Sequence, residues 1–419
     1  MSETLEQQAD TVMTRCDELA RCSDDADGIT RLFLSSAMQK AHKRVRGWME
    51  AAELQTHVDD AGNVIGRTKT AIDRAVVLGS HLDSVPGGGR YDGVLGVLIA
   101  LAVAEQLGDE SLPFRLDVIG FSEEEGVRYR MPYLGSAARM GRFDPEWLDR
   151  TDAEDLSMRE AMRRFGLDAE KIDEAAYASD EVIAYIEPHL EQGPMLENAN
   201  RPLGVVSGIA GQTRIQLEFI GTAGHAGTTP MLGRSDALAM AAQLVTDVNS
   251  IGRQTKGLRA TVGQLSVSPN APNVIPQRVQ MSLDVRHVDD LVRERALNDM
   301  LAAGRQIAKT AYGKFAVREQ VSQTAVAMDD GLSDILTDAA RDCGHEPLQL
   351  FSGAGHDAVV VAKKFPAAML FLRHPGGVSH HPDERVLRDD VAAAIEVMCQ
   401  LVRKLAAKHE PKQVGTQSQ

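Results

Sequence analysis

Residues 76–101 read VVLGSHLDSVPGGGRYDGVLGVLIAL. The apolar run over 75–78 has strand character, and the run over 94–107 is long enough for a helix. Between them Pro86 and the glycines at 87–89 punctuate a turn. His81 follows the strand and Asp92 precedes the helix, so backbone geometry aims an imidazole and a carboxylate at one place. Asp83, two residues beyond His81, is spaced to hold the ring from behind, as carboxylates do behind metal-bound histidines. Two plainer readings fit the same letters. A lone histidine after a strand is commonly a hydrogen-bonded loop residue, and a GGGR turn can cradle a phosphate, although it lacks the GxGxxG spacing and the P-loop lysine.

Working outward, FRLDVIGF (114–121) is a second buried strand. Strand, helix and strand in that order make a βαβ unit, and such sheets bind ligands at the carboxyl ends of their strands. SEEEG (122–126) lies at that end. Three acids in a row are usually a solvated run, but after a buried strand adjacent carboxylates can divide labour, one on a metal and one free for proton transfer. IAYIEPHLEQGPMLE (183–197) brings His189, Glu191 and Gln192 to the end of another apolar run. Helices are expected over 3–21 and 37–54, a hairpin around DDAGN (59–63), and a helical, polar stretch over 133–180, clearest at 157–165.

The pattern changes near Gly211. Strands over 212–220, 261–267, 279–285 and 315–321 and helices over 236–251 and 289–310 succeed one another as βαββαβ, the ferredoxin-like split arrangement. This insert carries GHAGTTP (224–230), NVIP (273–276) and DVRH (284–287). Arg286 is either a surface charge or a two-pronged clamp for a carboxylate. From about Gly331 helix and strand alternate again: SGAGHDA (352–358) opens a helix, a strand covers 367–373, SHHPDE (379–384) supplies His380, and an amphipathic helix closes the chain over 389–405. The fold class is therefore α/β. The expected division is 1–210 and 326–408 as one discontinuous domain, 211–325 as the insert, and 409–419 as a disordered tail.

A chain of 419 residues exceeds what one core usually supports. With 43% hydrophobic and 25% charged residues it is an ordinary globular composition. A net charge of −15 without a basic stripe argues against nucleic-acid or anionic-membrane partners. Cys16, Cys22, Cys343 and Cys399 show no CxxC spacing and read as free thiols of a reducing compartment. The polar, acidic opening MSETLEQQADTV is unlike a secretory signal, and no apolar run reaches the roughly 18 residues that span a bilayer. A cytoplasmic protein is expected.

His81, Asp92, Glu125, His189 and His380 come from five separate segments. They suit two divalent cations about 3.5–4 Å apart, with Asp92 bridging, His81 and His189 on one ion, and Glu125 and His380 on the other. Mixed imidazole and carboxylate ligands favour zinc, with manganese or cobalt as further candidates.

The series HLDS, GGGRYDG, SEEEG, HLEQG, GHAGTTP, NVIP, DVR, SGAGHDA and SHHPDE resembles the hydantoinase/carbamoylase branch of the aminoacylase-like di-metal metallopeptidases and amidohydrolases. The motifs stand in that family's order over nearly the whole chain. The resemblance implies a di-metal aminopeptidase-like catalytic domain, the insert as lid and dimerisation domain, and a homodimer in which His225 and Asn273 reach the partner's active site. It also implies the ligand set above, Glu124 as general base, and His225, with His356, as oxyanion donors. Gln192, Asn273 and Arg286 are then expected to hold a substrate carboxylate.

The substrate class implied is a small ureido carboxylate cleaved at its C–N bond. GQTR, GHAGTTP and FSEEEGVRY look most like allantoate amidohydrolases, with N-carbamoyl-L-amino-acid hydrolases as the alternative; many of the latter have Asn where Gly224 stands. One departure is Arg373-His374-Pro375, where relatives more often show Arg-Cys, a change at the expected pocket floor. Two further readings are an N-acyl-amino-acid deacylase or dipeptidase on the same centre, against which His189 speaks, and a catalytically silent binding protein of the same fold, against which Glu124 beside five ligands speaks.

Overall fold

The computed structural model describes residues 4–108 and 110–410. These fall into two compact units. The larger comprises the residues up to Ser207, Met328–Leu350 and those from His356 onward; the smaller comprises Gly208–Ala327 and Phe351–Gly355. Of the tail expected over 409–419, His409 ends the closing helix and Glu410 follows it; the rest lies outside the described residues.

The larger unit is built on a mixed sheet. Its strands lie in the order Gln55–Val58, Val64–Arg67, Arg115–Phe121, Ala75–His81, Val182–Leu190, Ala367–Leu372 and Leu203–Ile209. The middle four run parallel, so their carboxyl ends share one edge. Ala75–His81 and Arg115–Phe121 are buried along their whole length. That explains their continuous apolar lettering, because a parallel strand covered on both faces has no solvent side to alternate towards. The strand expected to end at Leu78 continues to His81, which pairs with Phe121.

The helix Val94–Leu107 is apolar nearly all round because it is covered nearly all round. It packs on the sheet with one side and under Leu5–Ala20 and Arg388–His409 with the other. Each of its buried Leu, Val and Ile side chains contributes roughly 1.5–3 kcal/mol. Gly96 lets it approach closely, since a Cβ there would stand 2.1 Å from the Pro188 carbonyl oxygen on the His189 strand.

The helical stretch expected over 133–180 is a correction. Only Leu134–Arg139 and Met158–Phe165 are α-helical, with short 3-10 turns at Pro145–Asp149 and Ala169–Ala175. Gly141, Pro145 and Gly166 break the backbone before any longer helix can propagate, and Gly166 caps one at φ 99°.

The smaller unit is an antiparallel sheet in the order Leu265–Ser268, Arg278–His287, Gly211–Ile220, Lys314–Gln323. Helices Ala237–Gln254 and Asp290–Thr310 bury Met240, Leu244, Leu297 and Met300 with Leu217, Phe219 and Leu283 of the sheet. Both start on an aspartate, Asp236 or Asp289, whose side chain accepts from two backbone N–H groups of the first turn. The succession is βαββαβ with its second strand divided. The strand expected over 261–267 is two pieces, Arg259–Thr261 and Leu265–Ser268, each paired with Arg278–His287. The interruption falls at Gly263, where no side chain packs to hold a strand.

Among the described residues no helix is long and apolar enough to cross a membrane. The four cysteines are free thiols.

Candidate active site

The shared edge of the parallel strands collects the acids and imidazoles. His81 ends its strand, Glu123–Glu125 follow Phe121, His189 is the penultimate residue of Val182–Leu190, and His380 lies on the loop beyond Leu372. Asp92 enters from the turn before the Val94–Leu107 helix. The next residue, Gly93, adopts φ 68°, and a Cβ there would stand 2.4 Å from the His81 ring. Glycine is required twice over, by the left-handed backbone and by the ring lying against it.

Asp92 is the centre of the cluster. Its Oδ1 is 3.3 Å from His189 Nε2 and 4.0 Å from His81 Nε2, and its Oδ2 is 3.1 Å from His380 Nε2. His380 Nε2 is also 3.4 Å from Glu125 Oε1. Two groups with metal-ligand spacing share this carboxylate, His81–Asp92–His189 and Asp92–Glu125–His380, and another in the same cluster joins His81 to Glu124 and Glu125. The His81 and His189 rings stack at 5.7 Å with their Nε2 atoms 3.5 Å apart.

Asp83 organises the same place from behind. Its Oδ1 lies 3.3 Å from His81 Nδ1, which leaves Nε2 turned to the cluster. Its two oxygens also accept from the backbone N–H groups of Glu124 and Glu125, at 3.0 Å each. One buried carboxylate thus orients an imidazole and the peptide bearing both glutamates.

Burial pushes the Glu125 carboxyl up to about 7, and it pushes Glu124 well above the carboxylate range, helped by Glu125, Asp357 and Asp83. For Asp92 burial acts the same way, but the imidazoles of His380, His189 and His81 outweigh it and hold the group low. Its hydrogen bond to Asp92 raises His380 to about 9, whereas burial lowers His189 to about 4. Left to protons alone, the cluster draws them in. Buried acids crowded beside neutral imidazole nitrogen are a donor set that divalent cations satisfy, so these residues fit a metal centre.

The profile of the peptidase family M20/M25/M40 matches residues 77–404. The chain belongs to that family. Members are metal-dependent, in agreement with the donor set. The chain is 38% identical to the allantoate deiminase of Arabidopsis thaliana, over 92% of this chain and 80% of that one. It is also 38% identical to the N-carbamoyl-L-amino acid amidohydrolase of Geobacillus stearothermophilus, over 90% and 94%. Among solved structures it resembles a hydantoinase/carbamoylase family amidase from Burkholderia multivorans, with TM-score 0.88 and 31% identity over 95% of this chain and 98% of that one.

In this M20/M25/M40 chain the remaining expected site residues fall into two sets. His356 is buried beside the cluster, its ring 4.5 Å from that of His189. Gln192, expected on a substrate carboxylate, donates to both Asp92 oxygens, at 3.1 and 3.2 Å, and to Ser379 Oγ at 2.9 Å. The others belong to the smaller unit. Asn273 and His225 meet in a two-stranded ribbon, where Ala226 N–H donates to the Asn273 carbonyl and Val274 pairs with His225. Both side chains are exposed. His225 Nδ1 accepts from the N–H groups of Gly227 and Thr228, at 3.1 and 3.2 Å. That assigns the ring proton to Nε2, which is presented outward as a donor. Arg286 has its fork on Asp284, at 2.8 and 3.0 Å, and its third nitrogen on the Gly353 carbonyl.

Two buried acids were passed over in the sequence. Glu384 Oε2 accepts from the N–H groups of Tyr91 and Asp92, at 2.8 and 3.0 Å, tying the His380 loop to the Asp92 turn. Glu187 receives Ser80 Oγ and the Ala358 N–H, and with His189 and His356 it forms a further group of metal-ligand spacing. An acid inside the apolar run of a buried strand was the available signal for Glu187. Nothing in the spacing of SHHPDE marks Glu384, whose partners are about 290 residues away in the chain.

Proposed function

We propose that this chain is a metal-dependent amidohydrolase that cleaves the ureido C–N bond of a small carboxylate, with allantoate as the preferred substrate. The observation that carries this reading is Asp92, whose two oxygens face two imidazole-containing groups while Glu124 is held beside them by Asp83. His81, His189 and Asp92 would hold one divalent cation and Asp92, Glu125 and His380 the other, with zinc, manganese or cobalt as the ions such donors take. Bound there, the ions would polarise the substrate carbonyl and make water acidic enough to act near neutral pH.

The protein's own groups then divide the work. Glu124, buried and with a raised proton affinity, accepts a proton from the attacking water. The water oxygen adds to the ureido carbonyl, and an Nε2–H donor such as that of His225 stabilises the oxyanion. Glu124 passes its proton to the leaving nitrogen, the C–N bond breaks, and the carbamic acid fragment decays to ammonia and CO2. His356, Asn273, Gln192 and Arg286 are assigned to the substrate, the last after exchanging Asp284 for the substrate carboxylate.

The smaller unit serves as lid and dimerisation domain, and a homodimer supplies His225 and Asn273 to the partner's site, a role their exposure suits. Free thiols support a cytoplasmic enzyme. GQTR, GHAGTTP and FSEEEGVRY favour allantoate over N-carbamoyl-L-amino acids, although relatives of both kinds are equally similar in identity. The test is ammonia release by manganese- or zinc-loaded protein on allantoate and several N-carbamoyl-L-amino acids at equal concentration. A preference of about tenfold or more for allantoate, equivalent to about 1.4 kcal/mol, is expected; preference for a carbamoyl amino acid makes the chain a carbamoylase, and release from neither overturns the reading.

A further inference from the structure

Outside the matched family region, the segment GITR (28–31) sends one side chain into the interior towards the site. Arg31 is 2% exposed, among the largest fully buried side chains of the molecule. No carboxylate is within ion-pair distance of it among the described residues, and its hydrogen bonds go to backbone carbonyls. Nη1 donates to the carbonyls of Leu19 and Cys22, at 3.0 and 3.2 Å, at the end of the Leu5–Ala20 helix. Nε donates to the Leu82 carbonyl. The backbone adds two bonds to the same loop: Arg31 N–H to Ser84 Oγ at 3.0 Å, and Ser84 N–H to the Arg31 carbonyl at 3.1 Å.

A buried guanidinium is costly unless its donors are met, and a leucine or methionine would fill this space without that cost. What the charge gives instead is directional. A helix carboxyl terminus carries partial negative charge and is a favourable anchor for a cation. Fixed there, its Nε reaches the Leu82 carbonyl, in the peptide that joins Leu82 to Asp83. Asp83 in turn holds His81 and the N–H groups of Glu124 and Glu125.

We infer that Arg31 is a positioning residue of the active site: anchored on the first helix, it sets the Leu82–Asp83 backbone and through Asp83 the placement of His81, Glu124 and Glu125. The inference rests on the reading of that cluster as a hydrolytic metal centre. The full chain is compared with Arg31→Met and Arg31→Lys, each alone and combined with Asp83→Asn. Arg31→Met lowers kcat about ten- to a hundredfold, as residues supporting metal ligands do, with KM changed less than about twofold. Arg31→Lys, which keeps a donor, recovers part of the loss. Because Arg31 acts through Asp83, the losses from Arg31→Met and Asp83→Asn do not multiply in the double variant.

A second readout needs no substrate. The visible absorption of cobalt-loaded protein, which reports ligand geometry, shifts in Arg31→Met and in Asp83→Asn alike. If no ureido substrate is turned over, the proposed reaction fails while the spectrum still decides the role of Arg31. Wild-type kcat with an unchanged cobalt spectrum overturns the inference, and so do losses that multiply. If Arg31→Met does not fold, Arg31→Lys decides by the same spectrum and the same cycle.

Discussion

The two units place histidines in opposite surroundings. In the larger unit His81 and His189 are each 2% exposed, braced by Asp83 and the stacked partner ring. In the smaller unit His225 is exposed, and its tautomer is set by two backbone N–H groups of its own turn. The buried pair is pre-positioned by packing, at the expense of desolvation that burial imposes on every charge nearby. The exposed ring keeps its donor free for something that arrives. Under the proposed function the buried kind would hold ions and the exposed kind would meet substrate, and variants can test that separation.

The largest effect is expected at the buried end. Glu124→Gln keeps the shape but removes the proton acceptor. Turnover should fall by about a thousandfold or more, in the upper part of the 10²–10⁴ range of general acid–base catalysis, while metal content measured by elemental analysis stays at the wild-type value. Loss of metal together with activity would instead make Glu124 a ligand and blur the division.

His225→Ala comes next. Loss of one oxyanion donor costs about 10²–10³ in kcat, with metal content and folding intact because the side chain is exposed. Mixing it with Glu124→Gln sharpens the comparison. If a second subunit supplies His225, a 1:1 exchange creates hybrids with one intact site and restores about a quarter of wild-type turnover. No restoration would place both groups in one chain's site.

The smallest effect concerns a buried histidine away from the cluster. His42 is held neutral, its pKa lowered to about 3 by burial and then by Arg46 and Arg31, against 6.5 for the free side chain. The unfolded chain therefore binds a proton that the folded chain refuses. The stability this group contributes is complete above about pH 6.5 and is lost as the pH falls towards 3, at up to about 1.4 kcal/mol per pH unit. Urea unfolding of wild type and His42→Leu at pH 7 and pH 4.5 should show a shallower acid loss in the variant.

Much of this contrast could be read from the letters. The apolar run before His81 and the long one after Asp92 mark a strand and a helix because both are buried on every side, and burial leaves a composition signal. The end of the His81 strand was less legible, since Gly79 and Ser80 break the apolar run although they continue the ladder. Residues 133–180 carry helix-forming letters interrupted by glycine and proline, and local preference there yielded to the breaks. The resemblance of nine motifs pointed to the cluster around Asp92. It did not show that Gln192 rests on Asp92, because a glutamine amide can face a ligand or a neighbour with the same letters around it. The Arg286–Asp284 pair was within reach, two residues apart on one strand and hence on one face.

The position of Ala367–Leu372 has a consequence for how the molecule is made. This strand lies between Val182–Leu190 and Leu203–Ile209, parallel to the first and antiparallel to the second. A ribosome therefore releases the His189 strand with one edge unclaimed, and more than 150 further residues must be synthesised before its neighbour exists. The smaller unit, whose sheet pairings all fall within residues 211–323, can fold during that interval. Until Ala367–Leu372 arrives, the nascent larger unit carries an open parallel edge of the kind that invites wrong pairing.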